Sequence, residues 1–223
     1  MIEAISRETR WFLPDDKMHP ITAWFESLPG SPRLGDSHSF PRQDYYLNMP
    51  GVEDIGIKVR EPKKDSENGK IKSLFEVKRL ISEKEPMKFA NNNNGFSAKW
   101  QKLSYELTDS NNDLILINPT LPSSDNNWIR VDKDRILVKY DAGNKLIVEG
   151  STNIREGCGI ELAKIKVNNS VHYSFGLEAF SESGKKLDQN FYDCCDLIFD
   201  RPGLTGLALD YSFSYPEFLV KKI

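Results

Sequence analysis

The chain has 223 residues, 30 of them Lys or Arg and 33 Asp or Glu, for a formal net charge of -3. Nothing in its middle reads as a linker between separate cores, so one domain over residues 1–223 is expected. With no basic excess, no polybasic run and no apolar stretch of membrane-spanning length, the composition argues against nucleic acid and membrane as partners.

The opening MIEAISRETRW lacks the apolar core of a signal sequence, which predicts a cytoplasmic protein. Cys158, Cys194 and Cys195 show no metal-binding spacing and are expected to be reduced, buried thiols. His19, His38 and His172 are scattered without a Ser or Cys partner in a nucleophile motif, which sets serine- and cysteine-type catalysis aside.

The first strand is predicted from Ile2 to Leu13, with Ser6, Glu8, Arg10 and Phe12 on one face and Ile5, Trp11 and Leu13 on the other. A helix follows, opened by Pro20 in its first turn and closed by Pro29-Gly30. Its stripe of Ile21, Trp24, Phe25 and Leu28 must cover a sheet. The Ser-, Pro- and Gly-rich residues 30–40 form a loop that leads into a short strand from Gln43 to Leu47.

From Gly51 to Glu61, Ile55, Ile57 and Val59 alternate with Gly56, Lys58 and Arg60, so one face is entirely small or cationic. Asn68-Gly69 is the best hairpin signal in the chain and joins this strand to Lys70–Leu80, in which Phe75 and Val77 oppose Glu76 and Lys78. The next strand, Gly95 to Leu107, sets Trp100, Lys102 and Ser104 against Leu103 and Tyr105. Beyond a polar loop with Pro119 and Pro122, the strand from Trp128 to Tyr140 carries Lys133, Arg135 and Lys139 on the face opposite Ile136, Val138 and Tyr140.

Residues 157–180 read as two strands with a turn at Asn168-Asn169-Ser170. A turn centred on Asn169-Ser170 sets Glu161 opposite Glu178, and one centred on Asn168-Asn169 sets them on a diagonal. In both cases the two carboxylates point the same way, among Ala163, Ser174 and Gly176. At about 4 Å and an effective dielectric of about 20 they would repel by roughly 4 kcal/mol, so one would hold its proton unless a cation were present. On this hairpin alone, a solvated face with two surface glutamates is an equal reading. A helix with the stripe Leu187, Phe191, Cys194, Cys195 and Ile198 follows and ends at Pro202-Gly203. A last strand is expected from Gly206 to Tyr215, with Asp210 among small residues.

Several polar faces combine cations or acids with Gly, Ala and Ser, unlike the long polar mixture of a solvated surface. They predict a mainly β, α+β fold: an antiparallel closed barrel (a tunnel) of eight or nine strands, polar faces inward, flanked by helices. Inward charges must be met by each other or by a ligand, which points to a polyanion with a metal ion. Arg10, Lys58, Arg60, Lys78, Lys102, Lys133 and Arg135 suit phosphate oxygens. Glu8, Glu161 and Glu178, with Asp210 as a further candidate, suit magnesium or manganese.

The same residues resemble the CYTH domain of the triphosphate tunnel metalloenzymes, a superfamily of inorganic and thiamine triphosphatases and class IV adenylate cyclases. Ser6-Arg7-Glu8-Thr9-Arg10 is similar to its opening ExExK strand, with Ser for the first Glu and Arg for Lys. Asp44-Tyr45-Tyr46-Leu47 with Ile57-Lys58-Val59-Arg60 resembles "YYDTP…LRIR", and Phe75-Glu76-Val77-Lys78 resembles "LTLK". Lys133 and Arg135 resemble the basic strand, Ile160-Glu161-Leu162 and Leu177-Glu178-Ala179-Phe180 the paired acidic strands, and the run from Ser214 to Leu219 the closing "SYxxLL".

Ser6, Ala163 and Phe180 stand where active members commonly keep an acid. The resemblance implies metal-dependent hydrolysis of a small triphosphate (inorganic tripolyphosphate, a nucleoside triphosphate or thiamine triphosphate), with Glu8, Glu161 and Glu178 on the metal and the bases on the phosphates. The departures leave open a barrel that binds polyphosphate or phosphorylated ligands without turnover. A barrel for an apolar ligand would require the opposite facing of every strand.

Overall fold

The computed structural model describes residues 1–35, 41–64, 71–108 and 127–223. The predicted turn at Asn68-Gly69, the end of the loop at 30–40, and the loop with Pro119 and Pro122 lie outside the described residues. In chain order the elements are β1 (Ile2–Leu13), α1 (Asp15–Glu26), β2 (Arg42–Leu47), β3 (Ile55–Lys64), β4 (Ile71–Leu80), β5 (Glu85–Lys88) and β6 (Asn94–Thr108). They continue with β7 (Trp128–Asp141), β8 (Leu146–Glu149), β9 (Glu156–Val167), β10 (Ser170–Ser181), α2 (Leu187–Phe199) and α3 (Tyr215–Lys222).

Eight strands close a barrel in the order β1-β10-β9-β7-β2-β3-β4-β6, and β6 pairs back onto β1. Every pairing is antiparallel, and the short β5 and β8 extend the sheet beside β6 and β7. The mainly β closed barrel expected from the alternation is therefore present. Ser170 pairs with Val167, so the β9–β10 turn is centred on Asn168-Asn169, and Asn168 supplies the positive φ of 54° that such a turn requires. Gly176 consequently stands opposite Glu161 and Gly159 opposite Glu178, which puts the two acids on a diagonal.

The outer wall formed by β1, β10, β9 and β7 is apolar because each strand gives alternate residues to it. Trp11, Phe175, Leu177, Ile160, Leu162, Ile136 and Val138 pack there under Ile21, Trp24 and Phe25 of α1 and Phe191, Cys194 and Ile198 of α2. Each large side chain buried this way stabilises the fold by roughly 1.5–3 kcal/mol. The three cysteines are free and buried in this layer, as expected.

Two expectations fail. Helix α1 starts just after Pro14, with Asp15 and Asp16 favourably placed at the positive end of its dipole, and Pro20 lies inside the helix instead of opening it. The segment from Gly206 to Tyr215 is not a strand. Gly206 takes φ +87°, Leu209–Tyr211 form a single 3-10 turn, and Tyr215 already begins α3. A capping box decides this: Ser214 Oγ accepts from the Glu217 amide at 3.3 Å while Glu217 accepts from the Ser214 amide at 3.1 Å. Asp210 is exposed on the 3-10 turn, so it drops out of the proposed acid set.

Helix α3 divides the barrel interior. Phe218 stacks on Phe12 with ring centroids 3.9 Å apart, and with Leu219 it packs against Tyr46, Val131, Ala163, Ile165 and Val167. This apolar plug fills one end, leaving the charged rows to surround the remaining space.

Candidate functional site

A chamber of about 170 Å³ lies above the plug. The strand parities that send apolar residues outward send Glu8 and Arg10 of β1, Lys58 and Arg60 of β3, Glu76 and Lys78 of β4, and Lys102 of β6 into it. Lys133 and Arg135 of β7, Glu161 of β9 and Glu178 of β10 complete these rows. Ten of the eleven residues singled out from the sequence as ligands of phosphate or metal thus line one cavity, Asp210 being the exception. Arg42 and Glu76 also line it, and Tyr46, Tyr215 and Pro216 form its floor. Lys139, on the same parity as Lys133, lies past this space and donates to the Thr152 carbonyl at 2.7 Å.

Glu161 is clamped by two guanidinium groups: Arg10 Nη1 donates to Oε1 at 2.9 Å and Arg135 Nη1 to Oε2 at 3.0 Å. Burial alone would raise its pKa, but Arg10 and then Arg135 hold it well below the usual carboxylate range. The Arg10 guanidinium also donates to Ser174 Oγ at 3.0 Å and lies 5.0 Å from the Tyr215 ring. It has room because the opposite residue is Gly176, where a Cβ would come within 2.8 Å of Arg10 Cζ.

Glu8 sits directly across β1–β10 from Glu178. Lys78 and the Ser6 hydroxyl both donate to Glu8 Oε1. The Glu178 carboxylate makes no hydrogen bond or ion pair among the described residues. Burial pushes its pKa up, yet the fields of Lys78, Lys102 and Arg10 outweigh this and bring it to about 2. Lys102 is likewise without an ion pair among the described residues. Glu76 forms an ion pair with Lys58 at 3.0 Å and accepts from Arg60 at 3.4 Å. Behind the lining, Asp44 accepts from Lys58 at 3.3 Å and forms ion pairs with Arg42 at 3.0 Å and Lys133 at 3.3 Å.

Among the described residues no three His, Cys, Asp or Glu groups stand close enough together to hold a metal ion. Magnesium, however, is commonly held by one or two carboxylates together with substrate phosphates. The facing pair Glu8 and Glu178 fits that donor set, and Glu178 is not committed to any base. Glu161 fits it poorly, because both its oxygens are taken by arginine.

Sequence reasoning passed over Arg42, and it quoted Asp44, Tyr46 and Tyr215 only within resembling motifs, with no role for their side chains. The first three share one parity on β2, and starting the predicted strand a single residue earlier, at Arg42, would have aligned them. Tyr215 was hidden by the expected last strand.

No protein-family model matches the chain, and no curated protein matches it. Among solved structures, it resembles a candidate adenylate cyclase from Bacillus halodurans at 10% identity over 92% of this chain and 96% of that one, with a TM-score of 0.48. A candidate adenylyl cyclase from Hippeastrum, described as having a dominant triphosphatase activity, aligns at 11% identity over 92% and 98% with a TM-score of 0.38. An RNA triphosphatase of S. pombe aligns at 11% identity over 88% and 85% with a TM-score of 0.45. Identities this low do not bear on the chemistry of the chamber.

Proposed function

We propose that the chamber takes the triphosphate group of a small phosphorylated molecule, and that the protein hydrolyses its terminal phosphoanhydride with magnesium or manganese. One observation carries this reading: eight Lys and Arg side chains face four Glu around a single enclosed space. Such an excess of buried positive charge is relieved by a multiply charged anion. Arg10 and Arg135, held by Glu161, would present fixed donors to phosphate oxygens, and Lys58 and Arg60 would do the same from Glu76. Lys102, with no ion pair among the described residues, would follow the charge of the anion.

Glu8 and Glu178 would hold the divalent ion, which when bound draws charge from the phosphate oxygens and acidifies a water. The protein's own contribution is then positioning and electrostatic preorganisation. We place this activity in the cytoplasm, where reduced thiols such as Cys158, Cys194 and Cys195 persist. No helix among the described residues is long and apolar enough to cross a membrane.

A second reading, binding without turnover, is favoured by a different observation. Ser6 pairs with Phe180 across β1–β10 and Ala163 is absorbed by the apolar plug, so none of the three adds a carboxylate to the chamber. The experiment that separates the readings measures phosphate release from tripolyphosphate, a nucleoside triphosphate and thiamine triphosphate with either metal, beside the melting temperature. Metal-dependent release supports hydrolysis. A raised melting temperature with no release supports the binding barrel, and neither effect removes both.

A further inference from the structure

Asp44 stands against three cations but does not line the chamber. It is 0% exposed, and Arg42, Lys58 and Lys133, from three adjacent strands, all converge on its Oδ2. Lys133 is the most enclosed of the three, with its side chain 2% exposed. Its ammonium donates to Tyr46 Oη at 3.0 Å and stands 3.8 Å from the centre of the Tyr215 ring.

We propose that Asp44 is a positioning residue of this chamber: a buried counter-ion that keeps Lys133 charged and holds Arg42, Lys58 and Lys133 in place for the phosphate chain. The proposal rests on the reading of the chamber as a triphosphate site. A lysine this deeply buried loses its proton readily unless an anion stands against it.

The groups that face Lys133 are Asp44, Arg42 and Tyr46 of β2, Lys58 of β3, Glu161 of β9, Tyr215 of α3, and Arg135 on its own strand. Arg42 and Lys58 disfavour its charge. Among the carboxylates, Asp44 is in direct contact, whereas Glu161 spends both oxygens on Arg10 and Arg135. Burial is the largest influence on Lys133 and lowers its pKa, with Tyr46 and Asp44 opposing it. Without the Asp44 charge, the incoming phosphates would have to recharge Lys133 themselves, and binding would draw a proton from solvent.

The test is calorimetric titration of metal-free tripolyphosphate into wild type, Asp44→Asn, and the double variant Asp44→Asn/Lys133→Arg, from about pH 6 to about pH 9 in buffers of different ionisation enthalpy. Wild type should bind with little proton exchange. In Asp44→Asn, binding should take up about one proton, and affinity should fall by roughly tenfold per pH unit above the new Lys133 pKa. The double variant should bind with a flat pH dependence again, because an arginine stays charged. An Asp44→Asn profile as flat as wild type overturns the proposal.

If wild type does not bind at all, it is the triphosphate reading that fails. If Asp44→Asn does not fold, an NMR titration of the Lys133 ammonium in wild type decides, with the signal assigned by its loss in Lys133→Arg. A Lys133 already neutral at neutral pH overturns the counter-ion role, and one still charged there upholds it.

Discussion

Glu8 and Glu178 are paired residues on neighbouring strands, both facing the chamber, but among the described residues only Glu8 is held by a lysine, Lys78. The asymmetry assigns them different work. Glu8 is anchored, whereas Glu178 keeps its charge through more distant cations and offers free oxygens.

If Glu178 is the open half of a metal site, Glu178→Gln should lower metal-dependent phosphate release by roughly a hundredfold or more, the scale set by the several kcal/mol that a Lewis-acid ion supplies. Metal-free tripolyphosphate should bind at least as tightly as before, because an opposing negative charge has been removed. Steady-state phosphate assays beside calorimetry check both halves.

Gly176→Ala should act through Arg10. The added methyl would enter the space of the guanidinium, 2.8 Å from Cζ, and push it off Glu161 and Ser174. Overpacking of this kind costs roughly 1–3 kcal/mol of stability. Tripolyphosphate affinity should fall by about tenfold. Denaturant melts and titrations report the two effects separately.

The empty barrel should be acid-sensitive. Glu161 and Glu178 both have depressed pKa values in the folded protein, Glu178 at about 2 against an ordinary 4.5. Between these values the unfolded chain binds more protons than the folded one. Their stabilisation is thus complete above the ordinary carboxylate range and is lost as pH falls from about 4.5 towards about 2. Urea unfolding across this interval should show that loss, and Glu178→Gln should flatten part of the slope.

Removing the ring that plugs the barrel should be costly. Phe218→Ala deletes the partner stacked 3.9 Å from Phe12 and should destabilise the protein by about 3–5 kcal/mol, measured by equilibrium denaturation. Tripolyphosphate should then give a smaller rise in melting temperature than in wild type, because Tyr215 and Pro216 of the same helix form the chamber floor.

The strands were legible wherever their alternation is strict. In β1, β9 and β10 a shift of one residue would exchange Trp11, Ile160 and Phe175 with Arg10, Glu161 and Ser174, so burial fixes which face turns inward. This is why the charged residues chosen by parity on these three strands, Glu8, Arg10, Glu161 and Glu178, reached the same chamber, whereas Lys139 lies past it and Asp210 fell on a turn. The diagonal between Glu161 and Glu178 was left open because three consecutive polar residues offered two turn centres, and periodicity does not choose between them. The plug was not legible from alternation. The run from Leu207 to Tyr215 alternates as a strand would, and the competing signal was the Ser214–Glu217 capping box, a short-range hydrogen-bond pattern. Asp44 was quoted within a resembling motif but given no role, because alternation alone does not separate a buried carboxylate that serves three cations from a surface acid.

The stacked rings of Phe12 and Phe218 fill one end of the barrel among the described residues. If a ligand enters and leaves by the other end, a fragment lodged against Tyr46 and Tyr215 stands between the next arrival and the deepest cations. Departure is then a step of its own, and free orthophosphate becomes a natural rival for the space beside Lys133.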